Sequence, residues 1–378
     1  MVVYSYYPWD PRVRKEAESL VRNGYHVDVV CLRNENEQKN ETINGVNVFR
    51  LNLRTKRGSK IRYAYQYGMF FLMSFLKLNS LDMKNKYSVI HIHTLPDYLV
   101  FITFLQKLKG KKIILDFHES MPEIFLSRFN NKSIAKIIGF IERISGNYAN
   151  NIITVSETLK DIFIKRGIRK NITIIMNAPD ENVDEISSVR SPELENKFIL
   201  NYSGGLMKER GLDIAIQAVN ALKSKIPEIY LMIFGSGGEE ENLKSLVKEL
   251  GLEKNVYFGG MVSHKDVMKY TKIADAGLIP WRSNPITEVG TPNKLFECIS
   301  MKVPVIASST KALVDLMGDN VIFFKTEDFN DMADKILFAY KNKDKLKLIG
   351  ERGNKIYQKI NWNVMEKRLH ELYGDLSE

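Results

Sequence analysis

The chain has 378 residues, 44% of them hydrophobic and 26% charged, with a formal net charge of +10. That length allows two globular domains, and the balance excludes a disordered or collagen-like polymer. Only Cys31 and Cys298 are present, which excludes a disulfide scaffold and fits a reducing, cytoplasmic setting. The charge is one-sided. Residues 1–180 hold 28 Lys and Arg against 16 Asp and Glu, whereas residues 181–378 hold 27 against 29. A basic first half points to an anionic partner, or simply to a solvated lysine-rich surface.

Apolar runs that read as strands recur at 1–5, 26–32, 89–93, 112–117, 151–155 and 173–176. The opening MVVYSYYPWDP has no basic segment leading into an apolar one, so no secretory signal is expected. After the first strand, Asp10-Pro11 reads as an N-cap followed by Pro at N1, and Arg12 and Arg14 lie in the first turn of a helix over 12–23. The basic stretch RTKRGSKIRYAYQYGMFFLMSFLKL (54–78) suits an anionic membrane interface or a packed helix with a basic leader. Its apolar run, 69–75, is far shorter than the roughly 20 residues of a spanning helix. His91 and His93 share one face of a strand end, but no third metal ligand stands at a telling spacing. His118 and Glu119 follow the strand 112–117.

Residues 177–193 are polar, carry two prolines and lack periodicity, as a linker does. A second strand series follows at 198–202, 229–234, 256–258, 276–279, 303–307 and 321–324, with helical patterns at 212–225, 239–250 and 264–272 between them. Strands alternating with helices specify parallel sheets. The expected fold is α/β, two doubly wound Rossmann-like domains facing across a cleft. The expected domains are 1–178 and 190–355, with a helix over 356–378 returning toward the first.

Ligands of such sheets lie beyond the carboxyl ends of the strands. Three loops of the second domain carry the right chemistry. SGGLMKERGLD (203–213) brings Gly204 and Gly205 for close backbone approach, then Lys208 and Arg210. FGSGGEEENL (234–243) turns on Gly235. TPNKLFE (291–297) reads as Thr291 at the N-cap and Pro292 at N1, with Asn293 opening the helix. Free N–H groups at a helix start hold anions, Lys294 adds a point charge, and Glu297 can accept from a ribose diol. A capped helix with an incidental Lys and Glu has the same pattern.

Taken together, YSGGLMKERGLDIAIQAV, LMIFGSGGEEENLKSLV, VYFGGMVSHKDVMKYTKIADAGLIP and TPNKLFECISMKVPVIAS resemble family 4 glycosyltransferases of the GT-B fold, in an NKLFE-type variant. DPRVRKEAESLVRNGYHVDVV, HIHTLPDYL, DFHESMPE and NNIITVSETLKDIF resemble the acceptor domain of that family. The resemblance implies retaining transfer of a sugar, hexosyl or N-acetylhexosaminyl, from a nucleotide-sugar. UDP-linked donors are favoured over GDP-linked ones, and no metal or other cofactor is expected. It implies that Glu297 holds the ribose hydroxyls, that Arg210 takes a diphosphate-binding place, and that His118 lies by the transferred sugar. Asp10, Arg12, His93 and Glu119 are then acceptor-side candidates. The acceptor is a saccharide or lipid-linked saccharide of cell-surface polysaccharide or glycoconjugate synthesis. The setting is cytoplasmic, peripheral on the membrane's cytoplasmic face if the basic stretch docks there. Two positions depart from the family pattern. Gly205 stands where the family has an Arg, and Val289, beside Glu288, stands where it has a Glu. Those departures leave open a non-catalytic subunit that binds a partner enzyme, and a GT-B sugar-nucleotide epimerase is a further alternative. No recognition helix or zinc motif supports nucleic-acid binding.

Overall fold

The computed structural model of the protein describes residues 1–53, 55, 60–179, 186 and 189–377. Residues 54 and 56–59 of the basic stretch, and 180–185 and 187–188 of the expected linker, lie outside the described residues. Two units emerge, Met1–Asn177 with Asn363–Glu378, and Ala178–Trp362.

The first unit opens with β1 (Val2–Tyr6), α1 (Pro11–Arg22) and β2 (Asp28–Leu32). A hairpin of β3 (Asn40–Ile43) and β4 (Val46–Leu51) follows, then α2 (Lys60–Asn85) and β5 (Val89–His93). A 3-10 segment, Asp97–Thr103, runs into α3 (Phe104–Leu108) and β6 (Lys112–Phe117). The series ends with α4 (Met121–Phe129), α5 (Lys132–Tyr148), β7 (Asn151–Thr154), α6 (Glu157–Lys165) and β8 (Asn171–Ile174). Strand order is β3-β4-β2-β1-β5-β6-β7-β8, parallel except for β3. Sequence reading omitted the hairpin, although its turn is Asn44-Gly45 with φ +50° and +82°. Asn-Gly suits such a two-residue turn because both positions need left-handed backbone.

The second unit carries β9 (Phe198–Ser203), α7 (Leu212–Leu222), β10 (Ile229–Phe234), α8 (Glu240–Glu249) and β11 (Val256–Gly260). It continues through α9 (His264–Lys272), β12 (Ala276–Ile279), α10 (Asn293–Ser300), β13 (Val305–Ser308), α11 (Lys311–Met317) and β14 (Ile322–Phe324). Helices α12 (Phe329–Lys341) and α13 (Lys343–Ile360) close it, and α14 (Trp362–Ser377) returns to the first unit. Strand order is β11-β10-β9-β12-β13-β14, all parallel. A wholly parallel sheet is covered on both faces, so β9 and β13 are buried at every residue, as unbroken apolar runs predict. The strand expected from 303 starts at Val305, because Pro304 has no N–H for the ladder.

In each sheet the strand order reverses once, between β1 and β5 and between β9 and β12. At such a point successive connections leave toward opposite sides and a crevice opens at the carboxyl edge. The loops after these strands therefore frame the candidate sites.

Candidate functional site

In the second unit the first loops are fastened backbone to backbone. Gly204 N donates to Phe234 O at 2.9 Å, Leu206 N to Ser236 O at 2.9 Å, and Gly235 N to Gly260 O at 2.7 Å. Gly235 has φ +128°, and a Cβ there would stand 2.0 Å from Gly204 O. Only glycine allows this approach. It leaves the strand ends of β9 and β10 bare of side chains. Gly205 is half-buried, its carbonyl accepting from the Tyr202 hydroxyl at 2.8 Å.

Two cations stand beside this bare backbone. Lys294 Nζ lies 3.4 Å from the centroid of the Tyr202 ring, and the Arg210 guanidinium 4.7 Å from that of Trp281. Each is held by an aromatic face rather than a carboxylate. Burial, reinforced by the nearby positive charge of Arg210, pushes the Lys294 amine well below its ordinary value. Two cationic side chains this close oppose each other's charge, a cost that an anion bound beside them would offset. Lys208 is exposed in the same loop.

Helix α10 starts at Asn293, but its cap differs from expectation. Pro292, at φ −79° and ψ 142°, occupies the N-cap, and Thr291 makes no capping bond. Extended φ/ψ suits Pro, and the N-cap needs no N–H of its own, so the boundary moves by one residue. The first-turn N–H groups stay without a side-chain cap. Asn293 is exposed, whereas Glu297, one turn on, is only 8% exposed and lies with Oε1 3.1 Å from His264 Nε2. Glu288 is engaged elsewhere. Its carboxylate accepts from Ser283 Oγ at 2.6 Å and from Lys311 N at 2.9 Å, tying down the start of α11.

In the first unit, Asp10 caps α1 by accepting from Arg12 N at 3.2 Å, and the Arg12 side chain grips the same carboxylate at 3.0 Å through both Nε and Nη2. Burial alone would raise Asp10, but this pairing brings it down to about 2. Behind it stands a buried cluster. His93 pairs with Asp116 in register between β5 and β6, and two residues further His118 turns back to the same carboxylate. Asp116 Oδ2 lies 2.9 Å from His93 Nδ1, 2.5 Å from His118 Nε2 and 3.7 Å from His91 Nε2. Burial opposes its charge, yet the His118 charge and the three imidazoles hold Asp116 well below the carboxylate range. Burial, then the neighbouring His93, lowers His91 to about 3, and burial lowers His93 as well, so both rings are neutral. Tyr373 of α14 completes the cluster with its hydroxyl 3.0 Å from His91 Nδ1. Glu119 is exposed beside His118.

Sequence reasoning found no third ligand beside His91 and His93. The fold supplies Glu16 and Asp116, so that the four residues offer ligand atoms within 4.8 Å of one another. Asp116 Oδ2 is already hydrogen-bonded to His93 Nδ1 and lies in ion-pair contact with His118 Nε2, so the arrangement works as a buried carboxylate hub beside His118. Tyr202, Trp281, His264, Glu16, Asp116 and Tyr373 are further residues that reading missed. Trp281 and His264 follow strands β12 and β11 and were open to the strand-end rule. Asp116 was open too, two residues from His118 on one strand face.

Comparison with known proteins agrees with both halves. Residues 183–356 match the family model "Glycosyl transferases group 1", and residues 12–183 match "Glycosyltransferase Family 4". An uncharacterized glycosyltransferase of Methanocaldococcus jannaschii is 24% identical over 94% of this chain and 91% of its own. A chitobiosyldiphosphodolichol beta-mannosyltransferase of Debaryomyces hansenii is 22% identical over 93% of this chain and 83% of its own. Among solved structures, HepE of Anabaena in complex with UDP superposes with a TM-score of 0.73 at 15% identity, covering 99% of this chain and 98% of that one, a likeness of fold. With two Rossmann-like units and both family models matched in order along residues 12–356, the chain belongs to the family 4 glycosyltransferases of the GT-B fold.

Proposed function

We propose that this glycosyltransferase moves a hexosyl or N-acetylhexosaminyl group from a UDP-sugar to a saccharide or lipid-linked saccharide of a cell-surface polysaccharide or glycoconjugate, with retention of configuration. The observation that carries the reading is the pair Lys294 and Arg210. Among the described residues neither is hydrogen-bonded to a carboxylate; both are set on aromatic rings at the switch point of the second sheet, beside the uncapped start of α10. They match the charge that develops on a leaving diphosphate. Glu297 then takes the ribose hydroxyls, with His264 orienting its carboxylate. UDP in the HepE complex and the lipid-linked substrate in the name of the Debaryomyces relative favour the donor and acceptor classes.

In the step proposed, the bond between the anomeric carbon and the diphosphate oxygen breaks with both electrons on oxygen. An acceptor hydroxyl oxygen attacks the same face, and its proton passes to the departing phosphate. His118, oriented by Asp116, contacts the transferred sugar. Lys294, Arg210 and the α10 N–H groups stabilise the diphosphate, so a divalent ion has no step to perform.

The test is thermal stability against UDP, GDP, CDP and ADP, in the unmodified chain and in Glu297→Ala. UDP at about a hundred times its dissociation constant adds roughly 2.7 kcal/mol to the folded state. We expect a shift with UDP that is lost in the variant. A shift with another nucleotide reassigns the donor, and no shift with any of them turns the reading to a non-catalytic subunit. Chelation should leave transfer unchanged. Loss restored by zinc would instead give an ion to Glu16, His91, His93 and Asp116.

A further inference from the structure

We propose that the outer face of α5, with α3 beside it, docks on an anionic lipid bilayer. This face lies on the surface of the first unit and is independent of the donor chemistry. Helix α5 buries one face through Ala135, Glu142, Ser145 and Gly146. Its opposite face carries Ile134, Ile137, Phe140 and Ile144, all exposed, Ile137 at 61%. At helical pitch these four occupy an arc of roughly 120°. An amphipathic helix of a soluble domain turns such a stripe inward, whereas this one turns it out. Lys132, Lys136 and Arg143 are exposed along one flank of the stripe.

The neighbouring helix extends the pattern. Tyr148 at the end of α5 packs its ring edge-on against Phe101 at 5.0 Å, and Lys107 of α3 lies 4.1 Å over the same ring. That fixes α3 beside α5, where Phe104 and Leu108 are exposed, the latter at 70%. A 520 Å³ groove between α4 and α5 is lined by the cations Lys132, Lys136 and Arg143 together with Leu126 and Phe140, and by Arg166, whose charge is taken up by Glu123 and Glu142. Cations above an apolar floor suit a phosphate headgroup with its acyl chain.

Charge selects the occupant. Between residues 60 and 115 the acids are Asp82 and Asp97, both buried. In α4 and α5 they are Glu123 and Glu142, both paired with Arg166. The charges left on this face are therefore positive. A second copy of the chain would bring the same positive rim against itself in a two-fold interface. Nucleic acid would leave the aliphatic stripe without a stacking partner. An anionic bilayer answers both the cations and the isoleucines.

The experiment is flotation of the full chain with vesicles of phosphatidylcholine alone, or with roughly a third phosphatidylglycerol, across a salt series. The unmodified chain should float with the anionic vesicles and be released as salt rises. Lys132→Glu with Lys136→Glu should weaken partition by at least ten-fold, since each cation near the surface contributes about five-fold. Ile137→Glu with Phe140→Glu should abolish it. Both variants change exposed side chains, and unchanged melting temperatures confirm that they fold. Equal recovery of the unmodified chain from both vesicle types would overturn the proposal. So would a dimer in gel filtration that Ile137→Glu with Phe140→Glu dissociates, which would assign the face to a second copy.

Discussion

A single methyl group tests the loops after β9 and β10. Gly235→Ala puts a Cβ 2.0 Å from Gly204 O at a φ of +128°, and backbone on both sides must give way. We expect a loss on the order of 3 kcal/mol or more in chemical unfolding of the second unit, together with loss of the nucleotide response. Gly238→Ala meets no atom within 4 Å and should stay within about 0.5 kcal/mol. Lys294→Met separates binding from stability. It removes a desolvated amine that, among the described residues, is hydrogen-bonded to no carboxylate, so the melting temperature of the free protein should hold or rise, while nucleotide affinity should fall roughly 10- to 100-fold, the weight of one charged hydrogen bond. A fall in both would make Lys294 structural. The polar groups at this site were legible because Lys294 is a cation in the first turn of a helix and Arg210 one in the loop after β9. Tyr202 was not, since a Tyr ending the apolar run of β9 has the pattern of a core residue. The pairing of His264 with Glu297 was not, because the two are remote in sequence and meet only in three dimensions.

At the scale of elements, the placement of caps is the sharpest difference between sequence and structure. Thr291 looked like the cap of α10, yet Pro292 holds that position. Ser263 does cap α9, accepting from Asp266 N at 3.2 Å. Ser263→Ala should therefore lower stability by about 1 kcal/mol, and Thr291→Ala by less than about 0.5 kcal/mol, when denaturant midpoints are compared. A larger loss at Thr291 would contradict the assignment. Strand periodicity was read well because parallel strands are unbroken apolar runs. The β3–β4 hairpin was passed over because β3 alternates exposed with half-buried residues, and β4 buried with half-buried ones, over only a few positions. Glu288 shows a limit of another kind. Sequence offered it as a neighbour of the missing family Glu, but its carboxylate anchors the start of α11.

Across the molecule, acid is expected to strain the first unit. Burial, and then His93, holds His91 at about 3, whereas in the unfolded chain it titrates near 6.5. Below that value the unfolded chain gains a proton that the folded chain refuses, so this contribution to stability is lost as pH falls toward 3. Glu16 acts in the opposite sense, because burial and the Asp116 charge raise its carboxyl, which then takes a proton in the fold first. The His91 contribution appears by difference. From pH 7 to 5 the unmodified chain should lose about 2 kcal/mol more than His91→Asn does. Equal losses would mean that His91 is not the group refusing the proton.

The same cluster depends on Tyr373, and the first unit is closed by Asn363–Glu378 after the whole second unit has been spelled out. His370 Nε2, 2.8 Å from Ser19 Oγ, belongs to that late strip too. On the ribosome, then, the half of the protein that begins first finishes last. Until translation ends, the nascent first sheet carries an open seam at His91, and the second unit, continuous in sequence, can complete its core ahead of it. A message cut short after residue 362 would yield a finished second unit joined to an unfinished first one, a product that quality control can recognise by its bared seam.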